Sequence, residues 1–218
     1  MLTDPEEIRI ISAALQKNVR DPNRARAHFD RIFADFFKTV RFRNTRVLDL
    51  GPGQYDFGEL ARQRGAAVHA IDYDPAVIQL GRHKGFTVRE GNLEEVKAGD
   101  FEEAFDGLFC KYSINAFWFH EAPALAHHVR ELVRLIKPGG WSWIAPWNGA
   151  SEETGLTPKE RVEITTVQIN EFRNAGFSAY ELTEDLSRYY GVHGLTVNRP
   201  LFTLNLQAPE SVKACIMV

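Results

Sequence analysis

The stretch 46–72 constrains the fold of this chain more than any other part of the sequence. Residues 47–50 form a short apolar run that ends in the turn Gly51-Pro52-Gly53, which predicts a strand buried on both faces of a parallel sheet. Helical spacing follows over residues 57–64, and a second apolar strand covers residues 67–72 and ends on an aspartate. This order of strand, glycine turn, helix, strand and acid predicts a nucleotide-binding βαβ unit.

The spacing of the turn separates two classes of cofactor. A dinucleotide fingerprint, G-x-G-x-x-G, would place a third glycine at position 56, where this chain has Asp56. A carboxylate at the start of a helix would repel a pyrophosphate bound there. The sequence therefore fits a nicotinamide-dependent oxidoreductase less well than an enzyme with another nucleotide cofactor.

The segment VLDLGPG, followed nineteen residues after Gly53 by Asp72, resembles the first two motifs of the class I S-adenosylmethionine-dependent methyltransferases. The resemblance implies that Gly51, Pro52 and Gly53 accommodate the amino-acid and ribose portions of S-adenosylmethionine. It also implies that Asp72 accepts from the ribose hydroxyls, which suits a carboxylate with two acceptor oxygens. The family often has a further glycine where this chain has Tyr55, whose side chain we expect to lie over the cofactor or in solvent.

Further residues are assigned to the cofactor by the same resemblance. Asn92 matches a family position that hydrogen-bonds the adenine amino group, and the adjacent Leu93 offers a backbone amide for a ring nitrogen. The alternative for Asn92 is an ordinary turn asparagine. Asp49, Tyr73 and Lys111 complete the predicted cofactor site.

The run ELVRLIKPGGWSWIAPWN resembles the family's helix that stops at L-K-P-G-G and leads into the fifth strand. The resemblance covers about residues 46–207 and implies an α/β, Rossmann-like, seven-stranded sheet with helices on both faces. The implied strand order is 3-2-1-4-5-7-6 with the last strand antiparallel. We divide the chain into an N-terminal helical cap (1–44), an S-adenosylmethionine-binding methyltransferase domain (45–208) and a C-terminal tail (209–218).

Two amphipathic helices are predicted before the first strand. Their apolar stripe, which includes Phe29, Phe33 and Phe36, either covers the sheet, forms a lid over the cofactor, or does both. Arg26 belongs to a group of arginines at the junction of the two helices that could meet an anionic group.

The candidate reaction centre follows the fourth strand, because ligands of open α/β sheets bind beyond the carboxyl ends of the strands. Many small-molecule members of the family carry a histidine near position 115, which is absent here, so His120 and His193 are the candidate catalytic bases. A lone histidine is more often structural. Lys111 stands about where metal-dependent members have an aspartate, so no metal is expected.

The aromatic run Phe117, Trp118 and Phe119 is a candidate either for the core or for the wall of an acceptor pocket. Trp147, Tyr189 and Tyr190 are further candidates for the wall of that pocket.

Composition limits the partners. The net charge of −3 and the pI of about 6.2 provide no basic footprint for nucleic acid. The start of the sequence lacks the features of a signal peptide and no apolar run has the length of a membrane span, so we expect a cytoplasmic protein.

The predicted function is metal-independent O- or N-methylation of a small molecule with S-adenosylmethionine. A non-catalytic S-adenosylmethionine-binding module, or pseudoenzyme, is the alternative.

Overall fold

The structure is a computed structural model, which describes residues 22–111, 113, 122–147, 177–182, 184–191 and 201–206. Isolated positions at 5, 6, 9, 157, 159, 160, 163, 166, 167, 170, 173 and 174 are also described. The helices are α1 (Pro22–Phe36), α2 (Asp56–Gln63), α3 (Pro75–His83), α4 (Ala122–Arg134) and α5 (Glu184–Tyr190). The strands are β1 (Arg46–Leu50), β2 (Ala67–Asp72), β3 (Thr87–Glu90), β4 (Phe105–Lys111), β5 (Ile136–Trp147), β6 (Phe177–Leu182) and β7 (Leu201–Leu206).

Strands β1 to β5 form a parallel sheet in the order β3-β2-β1-β4-β5, which confirms the predicted α/β, Rossmann-like architecture. Strand β7 pairs antiparallel with β5, and β6 pairs antiparallel with β7, so these two strands extend the same sheet. Leu50 lies opposite Ile71 on one side and Cys110 on the other. The carboxyl ends of β1, β2 and β4 therefore lie side by side, and a ligand can contact all three.

The element boundaries follow the local sequence, with one difference at residues 136–140. The resemblance implied that a helix stops at this glycine turn and that the fifth strand follows it, whereas α4 ends at Arg134 and Ile136 already pairs with Phe105. The pairing then shifts register and resumes between Gly107 and Trp141. Gly139 has a φ of +81°, so the predicted turn survives as an irregularity inside β5.

An aromatic layer fills the face of the sheet beneath α1 and α2. The ring of Phe57 in α2 stacks on Phe109 of β4 at 3.9 Å between centroids, and Phe109 stacks on Trp143 of β5 at 4.8 Å. From α1, Phe33 lies 5.4 Å from Phe57 and Phe36 lies 5.6 Å from Trp143. Such pairs add to the free energy of burying the rings, so they fix α1 and α2 on the sheet.

Helix α1 is therefore part of the core, as the sheet-covering alternative predicted. Its position is also held by α5, because Tyr190 Oη donates to Asp35 Oδ2 at 3.0 Å and Arg31 Nη1 donates to the carbonyl oxygen of Tyr189 at 2.9 Å. Tyr190 is buried against Phe36, so the expectation that it could line an acceptor pocket is wrong. The helix predicted before α1 lies outside the described residues except at positions 5, 6 and 9, which are helical.

We expect Phe36→Ala to lower the free energy of unfolding by about 3–5 kcal/mol, the usual cost of emptying a buried phenylalanine site. Lys38→Ala, two residues further on and exposed, should change it by less than about 0.5 kcal/mol. Urea unfolding of both variants measures the difference. Similar, small effects at the two positions would show that α1 is a loosely attached lid.

Candidate functional site

The two glycines of the turn after β1 differ in their surroundings. Gly51 is closely packed, and Gly53 has open space beside it. Gly51 and Gly53 have φ values of +67° and +54°, in the region that favours glycine. A Cβ atom at Gly51 would lie 2.0 Å from Ser113 Oγ, whereas one at Gly53 would meet nothing within 4 Å. The described residues thus leave an open approach to the backbone beside Gly53, as a ligand requires.

Ser113 is a residue of this site that the sequence analysis missed. Its hydroxyl donates to the carbonyl oxygen of Gly51 at 3.0 Å, while the Gly51 N–H donates to the carbonyl oxygen of Ile71 at 3.0 Å. The only signal in the sequence was a small polar residue two positions after the fourth strand, which is too common to be informative.

The side chain of Tyr55 is buried in the core, so the expectation that it lies over the cofactor or in solvent is wrong. The residue is fully buried, its hydroxyl donates to the carbonyl oxygen of Val77 at 3.1 Å, and its ring stacks on Phe86. Its backbone has a φ of +67°, and the side chain occupies the space between the turn and α3. The turn is therefore anchored to α3 by a side chain that packs into the core.

Asp49 provides a buried carboxyl group at the base of the turn. It is 2 % exposed, and its Oδ2 atom has no hydrogen-bond partner among the described residues. Burial, followed by the charges of Asp72 and Asp56, raises its pKa well above the ordinary value of 3.8. A buried oxygen without a partner is costly, so this atom suits a donor brought by a ligand, such as a cationic amino group.

Asp72 ends β2 at the same edge of the sheet. Its Oδ1 atom accepts from the Asp74 backbone N–H at 2.9 Å, and Asp74 in turn caps α3 by accepting from the Ala76 N–H at 2.8 Å. Burial is the main cause of the raised pKa of Asp72, and hydrogen bonds from the backbone of Asp74 and Tyr73 oppose it. Tyr73 is 70 % exposed, which leaves its ring available beside the acid.

Asn92 follows β3 and closes a local turn. Its Oδ1 atom accepts from the Glu94 backbone N–H at 3.2 Å, the arrangement of an ordinary asparagine turn. A carboxamide oxygen has a second lone pair, so the role of Asn92 at an adenine amino group stays a prediction. The side chain of the neighbouring Leu93 is buried in the core, and the role of its amide also stays a prediction.

Charged residues from three elements meet where β4 ends. Lys111 Nζ lies 4.7 Å from the centroid of the Phe29 ring in α1, a cation–π distance. Asp56 lies at the start of α2. Its pKa is raised mainly by burial and also by the charge of Glu59, and the charges of Lys111 and Arg26 oppose this rise. Lys111, Arg26 and Asp56 thus bring cationic and anionic groups close to the glycine turn.

The structure brings all nine predicted cofactor residues to one edge of the sheet: Asp49, Gly51, Pro52, Gly53, Asp72, Tyr73, Asn92, Leu93 and Lys111. His120, His193 and the aromatic run 117–119 lie outside the described residues, so their roles stay predictions. Within the described part of the chain, no three His, Cys, Asp or Glu side chains are grouped to hold a metal ion. No helix in that part has the length and apolarity to cross a membrane.

Asp49 should make stability depend on pH. Because its pKa is raised on folding, the folded state binds more protons above pH 3.8, and stability falls as the pH rises through the raised value. We expect Asp49→Asn to be more stable than the wild type at pH 7.5, because the amide carries no charge that must be buried. Urea unfolding at pH 4 and pH 7.5 should show this advantage shrinking at the lower pH.

Asp106→Asn is the matched control. The Asp106 carboxylate accepts from the Arg46 backbone N–H at 2.7 Å and from Lys137 Nζ at 3.2 Å, so its replacement should destabilise the protein at pH 7.5. A loss of stability in both variants would contradict the description of Asp49.

Comparison with solved structures places this fold among methyltransferases. A TehB-like S-adenosylmethionine-dependent methyltransferase from Corynebacterium glutamicum is 16% identical with a TM-score of 0.53, over 94% of this chain and 95% of that chain. An S-adenosylmethionine-dependent methyltransferase from Mesorhizobium loti is 13% identical with a TM-score of 0.56, over 82% and 96%. A sugar N-methyltransferase from a Streptoalloteichus species is 15% identical with a TM-score of 0.55, over 91% and 92%. At such identities the likeness concerns the fold alone.

A comparison with family models finds the one described as "Methyltransferase domain", which matches residues 48–144. No curated protein matches the chain. The matched segment runs from β1 into β5 and contains the glycine turn, Asp72 and the end of β4. Together with the fold, this match confirms the resemblance to the class I S-adenosylmethionine-dependent methyltransferases over residues 48–144, which match a methyltransferase domain.

Proposed function

We propose that this protein transfers a methyl group from S-adenosylmethionine to oxygen or nitrogen of a small-molecule acceptor, without a metal ion. The observation that carries the proposal is the buried, unpartnered Oδ2 atom of Asp49 beside the open glycine turn. S-adenosylmethionine has a cationic amino group and a sulfonium centre, and buried carboxyl groups complement both charges.

Each residue at the edge of the sheet is assigned a different part of the cofactor. Asp49 would accept from the amino group, and the backbone at Gly53 would hold the amino-acid and ribose portions. Asp72 would accept from the ribose hydroxyls, and the exposed ring of Tyr73 would be available to the adjacent base. Lys111, at the end of β4, offers a cation for the cofactor's carboxylate.

At the adenine end, Asn92 and Leu93 complete the site. The Asn92 carboxamide has a free lone pair on the oxygen that already accepts from Glu94, and it lies after the strand next to β2. The adjacent backbone amide of Leu93 would donate to a ring nitrogen. This division follows the family resemblance together with the positions of the strand ends.

The bound cofactor supplies an electrophilic methyl group and its own leaving group, so the protein's main tasks are alignment and the exclusion of water. A base is useful only if the acceptor loses a proton on attack, and His120 and His193 are our candidates for it. The net charge of −3 favours a small acceptor over nucleic acid. The similar fold of a sugar N-methyltransferase is consistent with an acceptor of this size.

We expect the purified protein to bind S-adenosylmethionine and not NAD, and Asp72→Ala to weaken that binding by about 2–4 kcal/mol, as for the loss of a charge-assisted pair of hydrogen bonds. Glu90→Gln, which removes a carboxylate directly opposite Asp72 on β3, should leave the affinity within about twofold. Titration calorimetry on both variants tests the ribose contact. Equal losses would assign the effect to general electrostatics and not to Asp72.

Methyl transfer to a panel of small amines and alcohols should proceed in excess EDTA. If the acceptor is a hydroxyl, replacing the base should lower kcat by ~10²–10⁴-fold, and His120→Ala and His193→Ala identify which histidine acts. Activity that disappears with EDTA and returns with Mg²⁺ would refute the metal-free mechanism. Binding of S-adenosylmethionine without transfer to any acceptor would favour the non-catalytic alternative.

A further inference from the structure

Tyr55 combines an unfavourable backbone conformation with a fully buried side chain. At φ 67° and ψ 23° it lies in the left-handed region, which residues with a Cβ atom seldom occupy and glycine enters readily. It is one of two described non-glycine residues with positive φ. A side chain kept at such a position must make contacts that compensate for the backbone.

Those contacts join the glycine turn to α3. The Tyr55 hydroxyl donates to the carbonyl oxygen of Val77 at 3.1 Å, and the ring stacks on Phe86 with an angle of 14° between planes. Gly81, one turn further along α3, has no side chain, and a Cβ atom there would lie 2.0 Å from the hydroxyl. Helix α3 is thus shaped to receive this tyrosine.

The same helix is connected to the predicted ribose acid. Asp74 caps α3 through the Ala76 N–H at 2.8 Å, and its own N–H donates to Asp72 Oδ1 at 2.9 Å. Within the turn, the Tyr55 N–H donates to the carbonyl oxygen of Pro52 at 2.9 Å. A continuous series of contacts therefore leads from the glycine turn, through Tyr55 and the start of α3, to Asp72.

We propose that Tyr55 is a positioning residue that holds the glycine turn at a set distance from Asp72, so that the two halves of the cofactor site are aligned before the cofactor binds. The inference rests on the proposed function, because it assigns the turn and Asp72 to opposite ends of one ligand. Such preorganisation lowers the conformational cost of binding. Without it, only the fraction of molecules with an aligned turn binds, and the apparent Kd rises in inverse proportion to that fraction.

Tyr55→Phe removes the hydroxyl and keeps the ring on Phe86. We expect it to raise the Kd for S-adenosylhomocysteine, which contacts both halves of the site, by about fivefold, the effect of one neutral hydrogen bond. The Kd for adenosine, which needs only the Asp72 half, should change by less than about twofold. This contrast separates positioning from general destabilisation, which would weaken both ligands alike.

Tyr190→Phe is the matched control. It also removes a buried tyrosine hydroxyl, which donates to Asp35 at 3.0 Å between α5 and α1. It should lower the melting temperature but leave the affinity for S-adenosylhomocysteine unchanged. Unchanged S-adenosylhomocysteine affinity in Tyr55→Phe, or equal losses for the two ligands, would overturn the proposal.

Amide hydrogen exchange in the ligand-free protein tests the same contact without the cofactor. Tyr55→Phe should accelerate exchange at residues 53–55 and 76–78, and Tyr190→Phe should not. If the wild type binds no S-adenosylhomocysteine, the proposed function fails, and exchange alone then decides the positioning role. Unchanged exchange at both segments in Tyr55→Phe would overturn that role.

Discussion

The site depends on the backbone of one residue, Gly51. Its N–H donates to the carbonyl oxygen of Ile71 at the end of β2, and its carbonyl oxygen accepts from Ser113 after β4, each at 3.0 Å. Three chain segments are thus joined at the carboxyl edge of the sheet, and no side chain at position 51 fits beside Ser113. The backbone of Gly51 thus holds the turn between β2 and the segment after β4. As a result, the open space beside Gly53 and the carboxyl group of Asp72 lie on the same edge of the sheet.

The two carboxyl groups at this edge are buried, which makes their ionised forms costly for the fold. Asp49 and Asp72 are both buried, and burial is the main cause of the raised pKa of each. An unpartnered oxygen such as Asp49 Oδ2 destabilises the fold, and proteins commonly tolerate that cost where a ligand offsets it. A cationic cofactor would supply the missing partner and stabilise the folded protein as it binds.

Aromatic residues join α1 to the sheet, although sequence patterns predict the helix and the sheet separately. Phe33 and Phe36 bring α1 onto the layer formed by Phe57, Phe109 and Trp143, so a helix outside the family-matched segment becomes part of the core. An amphipathic stripe predicts that a helix is covered on one side, but it does not specify the surface that covers it.

The sequence by itself determined the βαβ unit and the glycine turn, because glycine positions and apolar periodicity act over a few residues. The parallel order of the first five strands was implied only by the family resemblance. Only the tertiary structure decided where Tyr55 packs and that the Ser113 hydroxyl donates to the backbone of the turn. It also decided that β5 begins before Gly139 and Gly140. Tyr55 and Val77 are 22 residues apart in sequence, and Ser113 and Gly51 are 62 apart. Contacts between such distant residues arise only when the sheet brings its strand ends together, so no local pattern encodes them.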